Sequence, residues 1–266
     1  MGSPGDSGFP DGGGLQEGGG PPGDSGALDE QPVFRVAVLA SGSGSNLHAI
    51  FDSLHQPRFQ LIDTDHYGED SGSEAARAAR AGEAPEPAVP RIEIVLVISD
   101  VPRARALERA ERAGIRTLTL PIADFRDRDE HDIALVTQLC AAEPDLVVLA
   151  GYMRIVSPSL LKAFPWRVIN LHPALLPSFP GGHSITDALR YGVKVTGVTV
   201  HFVDTGVDTG PIIAQEPVRV EEGDIPETLA ARIHEVEHRL LPSVIRLIAA
   251  GRVTPPLPGS RVVQVD

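Results

Sequence analysis

The chain is short of several things, and each shortage closes a class of function. It has one cysteine, Cys140, among 266 residues. That excludes an intramolecular disulfide and any zinc or iron–sulfur site built from several thiolates. Cations are outnumbered: 23 Lys and Arg against 36 Asp and Glu give a formal charge of −13. A broad nucleic-acid groove or an anionic membrane surface calls for the opposite balance, because each neutralised phosphate needs a Lys or Arg. A small basic pocket is still allowed. No apolar run approaches the ~18 residues of a membrane-spanning helix. The N-terminus shows neither the basic segment nor the apolar stretch of a secretory signal. The expectation is a soluble, cytoplasmic protein with neither nucleic acid nor membrane as partner. What is present in ordinary amount is the material of a core, with 42% hydrophobic and 22% charged residues.

Composition divides the chain. Residues 1–34 hold six acidic residues, no Lys or Arg, and 11 of the 27 glycines. Runs such as Gly18-Gly19-Gly20-Pro21-Pro22 bury too little apolar surface to offset the entropy of ordering them. This reads as a disordered, acidic Gly/Pro-rich tail. Residues 63–91 begin with Asp, Gly and Ser, pass through an Ala/Arg stretch and end with Pro85, Pro87 and Pro90. They read as a surface insertion. One domain is expected over 35–253, with a C-terminal tail at 254–266.

Within that domain, strand and helix signals alternate. Apolar, β-branched runs at Phe34–Ala40, Ile92–Ile98, Arg116–Leu120, Asp145–Ala150 and Val168–Asn170 read as strands, as do Thr196–Val203 and Pro211–Val218. Helices are expected from about Asn46, over Pro102–Ala113 (stopped by Gly114), Asp129–Ala142, Thr186–Tyr191 and Pro226–Ala250. The alternation gives an α/β fold, a Rossmann-like, mostly parallel sheet with helices on both faces. Ligands of such sheets bind at the carboxyl ends of the strands. Function is therefore sought in the loops that follow strands.

Four such segments stand out. After the first strand comes Ser41-Gly42-Ser43-Gly44-Ser45-Asn46. Its small residues let backbone N–H groups approach an anion at a helix N-terminus, although a tight turn with an N-cap would read the same way. It has no Walker lysine, and Leu47 stands where a dinucleotide loop needs its third glycine. After the fourth strand comes Gly151-Tyr152-Met153-Arg154-Ile155-Val156, as suited to core packing as to a ligand wall. After the fifth comes Asn170-Leu171-His172-Pro173. Asn170 and His172, two apart, point the same way and could supply two donors to a developing oxyanion. A buried histidine satisfied by a carbonyl is the plainer alternative. Last is His201-Phe202-Val203-Asp204-Thr205-Gly206-Val207-Asp208-Thr209-Gly210-Pro211, where the two aspartates either form a turn or orient a nearby imidazole. Spacing alone does not decide. His55, His66 and His131 fall in segments that read as surface. His234 and His238 are four apart on the last helix, but the H-E-x-x-H order is missing and zinc is not favoured.

Taken in order, SGSGSN, AGYMRIVSP, INLHPALLPSFPGGH, GVKVTGVTVHFVDTGVDTGPII and RIHEVEH resemble the folate-dependent glycinamide ribonucleotide formyltransferases of purine synthesis. The likeness runs from about Arg35 to Val253, nearly the whole expected domain. It implies the formyltransferase fold and transfer of a formyl group from 10-formyltetrahydrofolate to the amine of 5'-phosphoribosylglycinamide. The catalytic trio falls on Asn170, His172 and Asp208. The folate pocket falls on Arg128, Met153, Arg154, Ile155, Val156, Asn170, Asp204, Thr205, Gly206, Val207 and Asp208. Substrate phosphate falls on Gly44, Ser45 and Asn46, and the glycinamide end on His234, Glu235, Val236 and Glu237. Gly181 and His183 are implied as further pocket members.

The implied chemistry agrees with the residues. Asn170 and His172 would stabilise the oxyanion, and Asp208 would hold His172 oriented and charged. No metal is implied, since the electrophile is already activated and the nucleophile is an amine. The expected partners are small molecules. A homodimer is consistent with the resemblance, though no interface is legible. The sequence departs from the usual pattern at Ser43, where relatives often have Asn, and at Ala174, where Ser is common. The alternative is formyltetrahydrofolate deformylase or another folate-dependent N-formyltransferase.

Overall fold

The computed structural model describes residues 1–2, 32–55 and 90–266. Contacts divide the chain into two units, Met1–Glu30 and Gln31–Asp266. The expected tail and insertion lie outside the described residues except at their edges. There Val33 and Phe34 already belong to the first strand, and Arg91 opens the second.

Seven strands form one sheet: β1 (Val33–Leu39), β2 (Arg91–Ser99), β3 (Thr117–Thr119), β4 (Leu146–Leu149), β5 (Val168–His172), β6 (Val195–Phe202) and β7 (Ile212–Arg219). Their order across the sheet is β3-β2-β1-β4-β5-β6-β7. The first five run parallel; β6 is antiparallel to both β5 and β7. The helices are α1 (Ser45–Leu54), α2 (Arg105–Arg112), α3 (Arg128–Ala142), α4 (Pro158–Ala163), α5 (Ser184–Tyr191) and α6 (Pro226–Ala249).

Period-two alternation divides the core. Val36 and Val38 of β1 join Leu47 and Ile50 of α1 and Ile233, Leu241 and Ile245 of α6. Ala37 and Leu39 face the opposite way, toward Leu135 and Leu139 of α3 and Leu160 of α4. Both faces are covered, which is why these strands read as continuous apolar runs rather than alternating ones.

The structure corrects several expectations. Helix α2 starts at Arg105 and not Pro102, because Arg103 sits at φ 60° in a turn. Helix α4 was not anticipated: its six residues are too few for a legible period, yet Ser157 caps it through Leu160 N–H at 3.3 Å. His131, expected at the surface, is 2% exposed and its Nε2 lies 3.1 Å from the Leu120 carbonyl. The segment expected as a C-terminal tail folds back, with β8 (Val253–Thr254) pairing antiparallel with β9 (Gln264–Val265).

Candidate active site

The carboxyl ends of β1, β4 and β5 open into one cavity of about 440 Å³, closed on one side by α6. Its floor is laid by the pairing of β5 and β6. Antiparallel register places Asn170 opposite His201 and His172 opposite Thr199. Asn170 and His201 therefore share a face as a cross-strand pair, and His172 follows one pleat further on.

Asp208 ties this cluster together. One carboxylate oxygen accepts from the Asn170 amide at 3.2 Å and lies 3.8 Å from His201 Nε2. The other accepts from the Gly181 N–H at 2.7 Å and lies 3.3 Å from His172 Nδ1. The loop presents this carboxylate with Asp208 itself at φ 52°, left-handed backbone that Asp tolerates better than most residues. Just upstream, Asp204 accepts from Gly206 N–H and from the Thr209 hydroxyl, at 3.0 and 2.6 Å, and so shapes the turn. Gly210 is obligatory at the loop's end, because a Cβ there would lie 1.6 Å from the Phe202 carbonyl oxygen.

Proton positions follow from acceptors. His201 Nδ1 lies 2.8 Å from the Phe202 carbonyl, which can only accept, so Nδ1 carries hydrogen. Burial holds the His201 imidazole below its ordinary pKa, so Nε2 keeps a lone pair. That lone pair takes one Asn170 amide hydrogen at 3.2 Å, and Asp208 takes the other. His172, 4% exposed, has Nε2 at 2.8 Å from the Phe179 carbonyl and Nδ1 toward Asp208. The Phe179 carbonyl can only accept, so Nε2 carries hydrogen, while Nδ1 stands at ion-pair distance from the Asp208 carboxylate.

At the other end of the cavity Gly44 precedes α1 at φ 70°, and a Cβ there would lie 2.7 Å from Ala106 Cα. Glycine is needed on both counts. The first N–H groups of α1 lie beyond it and have no intrahelical partner. Asn46 donates to Glu237 at 3.0 Å. Glu237, 3% exposed, also takes His234 Nδ1 at 2.7 Å. This carboxylate raises the His234 pKa above its ordinary value.

Most of the expected site residues meet around this cavity: Gly44, Ser45, Asn46, Met153, Arg154, Ile155, Val156, Asn170, His172, Gly206, Val207, Asp208, His234 and Glu237 all line it, as does Gly181. Several do not. Arg128 donates to the Ile155 carbonyl at 2.7 Å and lines a neighbouring cavity of about 400 Å³ that shares the Tyr152–Val156 segment. Asp204 and Thr205 shape the loop without lining the cavity. On α6, Glu235 points to solvent and Val236 into the core, as helical geometry demands of residues between His234 and Glu237. His183 is exposed at the start of α5. Sequence reasoning gave no role to His201 or Phe179. His201 opened a motif but had no visible partner until β5 and β6 were paired.

Residues 70–245 match the family described as formyl transferase. The phosphoribosylglycinamide formyltransferase of Mycobacterium tuberculosis (strain H37Rv) is 43% identical over 220 residues, 83% of this chain and 87% of that one. The human trifunctional purine biosynthetic protein adenosine-3 is 38% identical over 224 residues, 84% of this chain and 19% of that longer protein. Glycinamide ribonucleotide transformylase 1 from Symbiobacterium toebii, a crystal structure, superposes with a TM-score of 0.71 at 43% identity, covering 88% of this chain and 94% of that one.

Proposed function

The chain belongs to the formyl transferase family, and we propose from that premise which of its residues carry the transfer. It is a phosphoribosylglycinamide formyltransferase, formylating the substrate amine in purine biosynthesis. The observation that carries the division of labour is that both groups of residues share one cavity. An anion loop with Asn46, His234 and Glu237 lines one part of it, and Asn170, His172 and Asp208 line another.

The formyl donor in this reading is 10-formyltetrahydrofolate. Met153 and Ile155 are exposed apolar side chains at the cavity and Val207 stands nearby, which suits a flat heterocycle with apolar faces. The substrate phosphate is held by the N–H groups that open α1, where the helix dipole favours negative charge. Glu237 and His234, whose pKa that carboxylate raises, orient the rest of that substrate.

The amine nitrogen attacks the formyl carbon, a carbon–nitrogen bond forms and negative charge grows on the formyl oxygen. Both Asn170 amide hydrogens are already engaged, so Asn170 serves that oxygen by giving up a 3.2 Å bond. Catalytic hydrogen bonds often stand long before substrate binds. His172 offers its Nε2 hydrogen in exchange for the Phe179 carbonyl. Asp208 stands beside both donors and holds them in orientation. The carbon–nitrogen bond to the donor then breaks, and the proton shed by the amine passes to the leaving nitrogen through His172 or water. The cytoplasmic setting belongs to the same proposal.

The test is to incubate the purified chain with 10-formyltetrahydrofolate and follow tetrahydrofolate release with and without phosphoribosylglycinamide. Release should require the ribonucleotide and fall about 10²–10³-fold in folded His172→Ala, the usual cost of losing an oxyanion donor. Release that ignores the ribonucleotide would replace this reading with a hydrolase.

A further inference from the structure

Strands β2, β1 and β4 are neighbours in the sheet, and a single buried carboxylate joins the loops that leave them. Asp100 follows β2 with its side chain 2% exposed. Its Oδ1 accepts from the Ser41 hydroxyl at 2.5 Å and its Oδ2 from Arg154 Nε at 2.7 Å. Ser41 follows β1; its hydroxyl oxygen accepts the Met153 N–H at 3.0 Å, and its own N–H donates to the Gly151 carbonyl at 3.1 Å. Neither Asp100 nor Ser41 lines the cavity, yet the segments they hold, 42–46 and 151–156, both do.

A buried carboxylate is costly unless each oxygen has a partner, and charge-assisted bonds are the strong ones. Here the two oxygens draw partners from different loops. Moving either loop away uncovers part of a buried charge, so the two loops are held in one relative position.

We propose that Asp100 is a positioning residue that locks the anion loop to the 151–156 wall, holding each segment where it binds its own substrate, the phosphoribosyl substrate on one and the formyl donor on the other. The proposal rests on the formyl-transfer reading. Asp100 acts through Ser41 and Arg154 and touches neither substrate.

Steady-state kinetics of Asp100→Ala, Asp100→Asn and Ser41→Ala test it, beside a wild-type control. Inactive wild type would refute formyl transfer itself; the Asp100 proposal is judged only on variants of an active enzyme. In Asp100→Ala the KM of both substrates should rise about tenfold, the scale of a lost hydrogen bond to a charged group, with kcat within about threefold. Asn keeps an acceptor for Ser41 but loses the ion pair with Arg154. Asp100→Asn should therefore restore the KM of phosphoribosylglycinamide and leave that of 10-formyltetrahydrofolate raised. Ser41→Ala should raise both, by less than Asp100→Ala. A purely structural role would lower thermal stability and leave both KM values unmoved, and that result overturns the proposal. Equal behaviour of Asp100→Asn and Asp100→Ala would overturn it too. If Asp100→Ala does not fold, Asp100→Asn and Ser41→Ala carry the same test.

Discussion

Asp208→Asn separates charge from shape at the centre of the site. Asparagine tolerates left-handed backbone much as aspartate does, so φ 52° is retained. What changes is the acceptor count. Asp208 now takes Gly181 N–H at 2.7 Å and the Asn170 amide at 3.2 Å, with His172 Nδ1 at 3.3 Å. Asparagine has one acceptor oxygen and one NH₂ group. Turning the oxygen to Gly181 and His172 aims that NH₂ at the Asn170 amide, donor against donor, and frees Asn170 to turn. The side chain is only 13% exposed, so water does little to compensate. Losing a hydrogen bond to a charged group costs about 1.5–3 kcal/mol. A misdirected oxyanion donor costs about 10²–10³ in rate. We expect kcat to fall by roughly 10³, combining the lost charge with the turned amide. The KM of phosphoribosylglycinamide should stay within about threefold, as with any loss confined to the transition state. Tetrahydrofolate release gives both constants, and urea unfolding monitors the fold. A folded Asp208→Asn enzyme with kcat within about threefold of wild type would refute the role of this carboxylate.

Two other outcomes follow from local geometry. Gly44→Ala must accommodate a Cβ 2.7 Å from Ala106 Cα at φ 70°, strain of about 1–3 kcal/mol; urea unfolding should show that loss, and the KM of phosphoribosylglycinamide should rise. Gly42→Ala, with nothing within 4 Å of its Cβ, is the control and should change stability little. On acidification, His201 resists protonation in the folded state, chiefly through burial, while the unfolded chain protonates near its ordinary value of 6.5. The unfolded state then binds more protons, so stability present above pH 6.5 should decline as pH falls below it. The decline should be shallower in His201→Gln, and an equal slope in both proteins would contradict the assignment.

Much of this protein was determined by sequence alone, wherever the governing physics is local. The run Phe34–Ala40 had to be a strand because it is apolar on both faces, and β1 occupies Val33–Leu39. The Gly/Ser loop had to sit between strand and helix because only small residues make that turn, and Gly44 stands there at φ 70°. Asn170 and His172 were bound to share a face, because strand periodicity is two. Tertiary structure decided the rest. That β6 reverses direction put His201 beside Asn170, 31 residues away, and fixed where the amide hydrogens go. Asp100 is one aspartate after a strand, and its partners lie 59 residues before it and 54 after it. Glu237 meets Asn46 across 191 residues. No window of sequence contains these pairs. They exist because sheet order brings distant strand ends together, and burial there leaves each polar group no partner but the other.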